Sequence, residues 1–360
     1  MVDHSSPPRA PLSAGSLLVR LAGIGAVVAV VAGAFAYVNG TLDPQRLRPK
    51  TLVNALETNN GVHPGFRRNH AKGVCVAGYF ESSPEARAYS SAQVFSEART
   101  PLVGRLALPS GNPYAPDSSV PIRSFAVQFS QANGQQWRTG MNSMPVFPVG
   151  TPEAFYQMLK AGAPDPATGK PNPANMPAFF ASHPETAAFL AWVKTARPSA
   201  SYATETYNGI NAFYLVSADG TRRAVRWGVV PQSEDAAGDA APAGADFLEK
   251  DLVQRLASGP LRWQLNMTLA NPGDPLDDAS KTWSGAHKVL NAGTLVLQSS
   301  QPQADGDCRD INFDPLILPS GIQASNDPLL AARSAAYASS YLRRAGEVSP
   351  LHSAPQESKP

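Results

Sequence analysis

Phe66-Arg67-Arg68-Asn69-His70-Ala71-Lys72-Gly73 runs directly into Val74-Cys75-Val76-Ala77-Gly78-Tyr79-Phe80, a cationic turn followed by a short apolar run. Strand-forming residues dominate that run and glycines stand at both ends of its apolar core, so a strand is expected over 74–80 with His70 at its entrance. Neutral imidazole titrates near physiological pH. Held at the lip of an apolar barrel, it can accept a proton in one step and return it in the next. Taken alone, the same residue also reads as a hydrogen-bonded structural histidine. The rest of the chain has to decide between the two.

Outward from that stretch, the pattern is mostly that of strands. Residues 104–108 and 124–129 read as strands separated by Pro109-Ser110-Gly111-Asn112-Pro113. Residues 212–216 and 221–227 flank Ser217-Ala218-Asp219-Gly220 and form an expected hairpin. Leu261, Trp263, Leu265, Met267 and Leu269 alternate with polar residues, a period of two that gives one buried face. Residues 293–297 complete a set of seven strands by this reading. Helices are expected over 152–160, 184–195 and 246–257, the last with Phe247, Leu248, Leu252, Val253 and Leu256 on one stripe. A further short helix begins at Pro49. Residues 163–178 read as a long surface loop, 233–245 as a mobile one and 348–360 as a disordered tail.

Composition narrows the classes. A chain of 360 residues can bury a large core, and one main domain over 48–347 is the expectation. The formal charge of +2 shows no basic stripe, which argues against nucleic acid as a partner. Thirty-four prolines favour turns and long connections over a helical bundle. Residues 21–38 are uncharged and Ala/Val/Gly-rich without amphipathic periodicity, and read as an export signal or a one-pass anchor. Residues 1–20 precede it and a linker follows over 39–47. Ala34-Phe35-Ala36 has the form of a cleavage site, so cleavage and retention both stay open. Cys75 and Cys308 are the only cysteines. One bridge is allowed in an oxidising compartment, but two buried free thiols are the adopted expectation. The six histidines show no metal-binding spacing.

The segment from Asp327 to Arg344 is alanine-rich, with Asp327 placed as N-cap and Pro328 at the first helical position. Arg333, Tyr337, Tyr341 and Arg344 fall on one face of that helix. A guanidinium beside a phenol favours phenolate, the form a ferric haem needs from a tyrosine ligand. His70-Ala71-Lys72-Gly73 with Gly78-Tyr79-Phe80-Glu81, then Asn142-Ser143-Met144-Pro145-Val146-Phe147, then Arg333-x-x-x-Tyr337 come in the order seen in haem catalases. The chain resembles a short, exported member of that superfamily, a catalase-related peroxidase, over most of 48–347.

The resemblance implies an α+β fold, an eight-stranded antiparallel β-barrel with attached helices, preceded by one N-terminal hydrophobic helix. It implies haem b (iron protoporphyrin) between barrel and helix, with Tyr337 as iron ligand and Arg333 beside it. His70 and Asn142 would act on peroxide, Phe147 and Phe155 would pack the distal side, and Arg67, Arg105 and Arg344 would hold the propionates. Ala107 stands where a serine hydrogen-bonds the distal histidine in larger catalases, and Asn211 where a histidine lies near the proximal side. The expected activity is reduction of hydrogen peroxide or organic hydroperoxides by a small organic donor, with weak catalase activity at most. The alternatives are a fatty-acid hydroperoxide isomerase or an exported haem- or lipid-binding barrel. A periplasmic or other extracytoplasmic location is expected, with the membrane as partner if residues 21–38 are retained. A homo-oligomer is allowed.

Overall fold

The computed structural model describes residues 13–38, 47–197, 199–233 and 244–348. The chain divides into two units, one ending at Arg48 and one beginning at Pro49. In the first, α1 (Ala14–Val38) begins earlier than the uncharged run and takes in Arg20. At 1.5 Å per residue it is about 37 Å long, against roughly 30 Å for a bilayer's hydrocarbon core. It is long and apolar enough to cross a membrane, and none of its residues is buried within the protein.

The second unit opens with α2 (Pro49–Asn60), β1 (Gly73–Ser82), the short α3 (Pro84–Arg87), β2 (Thr100–Ala107), β3 (Ser124–Ser130) and β4 (Gln136–Asn142). Three helices follow, α4 (Pro152–Ala161), α5 (Asn175–Ser182) and α6 (Ala187–Thr195), then β5 (Tyr207–Asn208), β6 (Phe213–Val216) and β7 (Arg222–Pro231). The chain continues through α7 (Phe247–Ser258), β8 (Leu261–Leu269), β9 (Val289–Pro302), β10 (Ile322–Ala324) and α8 (Pro328–Val348). All pairings are antiparallel. β1 to β5 pair in sequence, β5 joins β7, β7 joins β8, β8 joins β9, and β9 returns to β1. Eight strands therefore close on themselves, and β6 and β10 extend from β7 outside that ring.

Alternation puts one side of each strand into the barrel. Phe125, Val127 and Phe129 of β3, Trp137 and Met141 of β4, Trp227 of β7, and Trp263, Leu265 and Met267 of β8 are buried there. Trp137 stacks on Phe129 with centroids 4.8 Å apart and meets Trp227 edge-on at 5.1 Å. Each such side chain contributes roughly 1.5–3 kcal/mol of burial. The lumen is filled, so any cofactor has to sit outside it.

The seven expected strands all occur, and the 217–220 hairpin joins β6 to β7 with Gly220 at φ +83°. β4, β5 and β10 were not anticipated. β5 and β10 are two and three residues long, too short for any periodicity to register. The expected loop over 163–178 is shortened because α5 begins at Asn175, and the 184–195 helix begins with a 3-10 turn before α6. The expected mobile loop and disordered tail fall almost wholly on residues 234–243 and 349–360, outside the described residues.

One expectation is overturned. Cys75 and Cys308 are not free thiols; they form a disulfide with Cα atoms 5.3 Å apart. Cys75 points out of the barrel from β1, and the turns after β9 bring Cys308 back onto it beside Phe313. At a sequence separation of 233, only the closed sheet brings the two together.

Candidate active site

The outer faces of β2, β3 and β4 carry Arg105, Ala126, Gly140 and Asn142, and α8 and α2 cover them. Between barrel and helices lies a cavity of about 710 Å³, a size in the range of cofactor and small-molecule sites. Arg67, His70, Arg105, Asn142, Phe147, Phe155, Arg333, Tyr337 and Arg344 all line it.

α8 starts as the sequence indicates. Asp327 Oδ1 accepts from the backbone N–H of Leu329 at 2.9 Å, and Pro328 takes the first helical position, where a missing N–H costs nothing. Four residues separate Arg333 and Tyr337, which places both on the cavity face, and Arg333 Nη2 lies 3.4 Å from Tyr337 Oη. Arg333 also donates to Asn211 Oδ1 and to the carbonyl of Gly140. Asn211 in turn donates from Nδ2 to Asp327 Oδ2 at 2.8 Å. A neutral amide thus links a buried carboxyl to the guanidinium. Burial pushes the Asp327 carboxyl up, against the hydrogen bond from Asn211.

The turn bearing His70 is docked on α8 and α2. Gly65 N–H donates to Glu347, Arg68 pairs with Glu57 at 2.6 Å and with Glu347, and Arg343 pairs with Glu57. Beyond the turn, Lys72 Nζ is 2.7 Å from both Asp117 and Asp246. Between these anchors His70 sits at φ +55°, the one non-glycine residue with positive φ among the described residues. A left-handed backbone costs a non-glycine residue about 1–2 kcal/mol, and such strain concentrates at functional sites.

His70 is partly exposed and lines the cavity. Burial first, then the charges of Arg105, Arg333 and Arg67, pull its pKa from the ordinary 6.5 down to about 3. The imidazole is therefore neutral. Its Nδ1 is buried without a hydrogen-bond partner, which leaves Nε2 as the nitrogen facing the cavity. Ala107, with no hydroxyl, is buried nearby on the cavity wall.

Asn142 ends β4 opposite Ser124 of β3. Ser124 Oγ donates to Asn142 Oδ1 at 2.6 Å. Phe147 and Phe155 follow, rings 5.4 Å apart. Sequence reasoning missed Ser124 because β4 itself was missed. The signal was present: Trp137, Thr139 and Met141 alternate with Gln136, Arg138 and Gly140.

Arg67, Arg105 and Arg344 make no salt bridge among the described residues. Arg67 donates to the carbonyls of Cys308 and Ile311, at 3.1 and 2.7 Å, and Arg105 to Ala71 and Gln303. The Nε of Arg105 is buried and unpartnered. Burial is the leading cause that lowers all three guanidinium pKa values, Arg105 to about 10; repulsion from Arg344 adds to it at Arg67 and Arg105, and Asp310 works against it at Arg67 and Arg344. Among the described residues no Asp or Glu lines the cavity. A buried cluster of this kind calls for an anion.

Residues 43–350 match the family model described as Catalase. The chain belongs to the catalase family. It is 38% identical over 333 residues to a catalase-related peroxidase of Synechococcus elongatus, covering 91% of this chain and 96% of that protein. It is 31% identical over 304 residues to a catalase-related peroxidase of Mycolicibacterium paratuberculosis, covering 83% and 96%. A fungal catalase structure superposes with a TM-score of 0.69 at 20% identity over 82% of this chain, and a bacterial catalase with 0.68 at 22% over 84%. The chain spans 62% of the length of each of those two catalases. At that identity the likeness concerns the barrel and its helices.

Proposed function

We propose that the chain is a haem b peroxidase that reduces hydrogen peroxide or organic hydroperoxides with electrons from a small organic donor, with weak catalase activity at most. The observation that carries this reading is one cavity lined by a neutral imidazole, a phenol beside a guanidinium, and three arginines, two of them buried, that make no salt bridge among the described residues. The donor set suits haem. Tyr337 offers a phenol oxygen to iron with Arg333 beside it, and Arg67, Arg105 with its orphaned Nε, and Arg344 offer cations to two propionates. Bound there, haem supplies a redox-active iron that accepts oxidising equivalents from a peroxide and passes them to a donor.

The chain's own groups handle the proton and the geometry. His70, neutral across the physiological range, accepts the hydroperoxide proton at Nε2 and returns it to the departing oxygen, which leaves as water or an alcohol. Asn142 donates a hydrogen bond from Nδ2 to hold the peroxide during that transfer. Phe147 and Phe155 exclude water around it. The names of the relatives support a peroxidase over a carrier.

Peroxide-dependent oxidation of a phenolic dye tests this. The native protein is expected to turn over and His70→Ala to lose on the order of a hundredfold or more. Equal, negligible rates in both would sink it, as would an epoxide formed from a lipid hydroperoxide without donor consumption. The haem-loaded native protein is expected to show a phenolate-to-iron absorption band, and Tyr337→Phe to lose it. We also place the catalytic unit outside the cytoplasm, anchored by α1 or released after export. The apolar helix and the disulfide support that location.

A further inference from the structure

We infer that Ser124 is the positioning residue for Asn142, restraining rotation of its amide on the cavity wall. The inference rests on the reading of Asn142 as a hydrogen-bond donor to peroxide. Ser124 and Asn142 stand opposite each other in the β3–β4 ladder, at the end of both strands far from the turn that joins them. The backbone there is held from both sides. Ser143 N–H donates to the carbonyl of Arg123 at 2.8 Å, Arg123 N–H donates to Ser143 Oγ at 3.0 Å, and Asn208 Nδ2 reaches the carbonyls of Asn142 and Ser143. With the main chain fixed, the freedom left to Asn142 is mainly rotation of its amide about χ2, a broad and roughly two-fold torsion.

The two ends of that amide are chemically opposite. One is a carbonyl acceptor and the other an NH₂ donor, and a half-turn exchanges them. The Ser124 hydroxyl, on a residue only 6% exposed, donates to Oδ1 at 2.6 Å. That is the one side-chain hydrogen bond of Asn142 among the described residues, and it engages the carbonyl end and leaves Nδ2 free to donate. A peroxide oxygen needs a donor at this point. An amide free to flip presents the carbonyl for part of the time and repels the same oxygen.

His70 has no equivalent support. Its Nδ1 is unpartnered, the wall residue beside it is Ala107, and the strained turn alone sets its direction. In this chain the orienting hydroxyl serves the amide and not the imidazole.

The test compares the native haem-loaded protein with Ser124→Ala and with the near-isosteric pair Ser124→Thr and Ser124→Val. Thr keeps the hydroxyl and Val keeps the volume without it. The expected result is a fall on the order of tenfold in kcat/KM for peroxide in Ala and Val, with recovery in Thr. The KM for the organic donor is expected to stay the same in all four. Independently of turnover, the side-chain amide NMR signals of Asn142 in ¹⁵N-labelled protein are expected to shift and broaden in Ala and Val but not in Thr. Unchanged peroxide kcat/KM in both Ala and Val overturns the inference, and so does a loss in Thr equal to that in Val. If the native protein itself fails to use peroxide, the peroxidase reading fails. The amide signals then still report whether Ser124 holds Asn142.

Discussion

His70 combines three features that are separately unfavourable: a left-handed backbone, burial beside three cations, and an orphaned Nδ1. Burial and the three cations keep the imidazole neutral, and a measurable pH dependence follows. The unfolded chain binds a proton at this site near pH 6.5, while the folded chain does so near 3. Between those values the unfolded state holds more protons, so stability from this group is full above about 6.5 and is lost as pH falls toward 3. Between pH 7 and 5 the native protein is expected to lose about 2 kcal/mol more than His70→Asn, read from urea denaturation at both pH values. Asn tolerates the left-handed backbone and does not titrate. The acid limb of peroxide turnover is likewise expected below pH 5. A midpoint near 6.5 would contradict the neutral imidazole. His70, Asn142 and Tyr337 could be picked out in the sequence because each sits in a distinctive local run. Ser124 could not, because its partner is eighteen residues away across a strand pair.

At the scale of elements, β1 joins the turn bearing His70 to the barrel, and glycines of β1 and β4 have distinct roles. Gly78 lies at a register shift between β1 and β9. A methyl group there would sit 1.9 Å from the carbonyl oxygen of Val296. Gly78→Ala is expected to destabilise the protein by more than about 2 kcal/mol, since backbone and not a flexible side chain must move. A shift in urea midpoint smaller than that of an exposed Gly134→Ala control would contradict it. Gly140 on β4 has a different use, because a Cβ there would lie 3.2 Å from Arg333 Nη2 and 3.9 Å from Tyr337 Oη. Its missing side chain lets α8 approach the strand. α8 was the most legible element, since its cap, first-turn proline and four-residue spacing are all local. β4 was the least, since a polar Thr139 in its buried row and a glycine in its outer row blur the alternation.

For the whole molecule, the disulfide ties β1 to the segment after β9. That segment supplies the carbonyls of Cys308 and Ile311 that hold Arg67. Closing a loop of that length constrains the unfolded chain, so Cys308→Ser is expected to cost about 2–4 kcal/mol in denaturant unfolding. In intact cells the two thiols are expected to resist alkylation until a reductant is added. Ready alkylation without reductant would place the catalytic unit in a reducing compartment and remove the support for export. The free-thiol expectation failed for a structural reason: two cysteines at opposite ends of the chain carry no pairing information until the sheet closes.

By itself the sequence determined the alternating strands, the capped α8 with Arg333 and Tyr337 on one face, the apolar helix near the N-terminus and the family. All of these are written in local spacing or in short runs. The tertiary structure decided which residues share the cavity wall, that Cys75 meets Cys308, that Asn211 bridges Asp327 and Arg333, and that Ser124 holds the Asn142 amide. Those contacts join residues brought together by strand pairing and helix docking, and burial sets the charge state of His70. Neither distance across the fold nor exclusion of water is a property of any short stretch of chain.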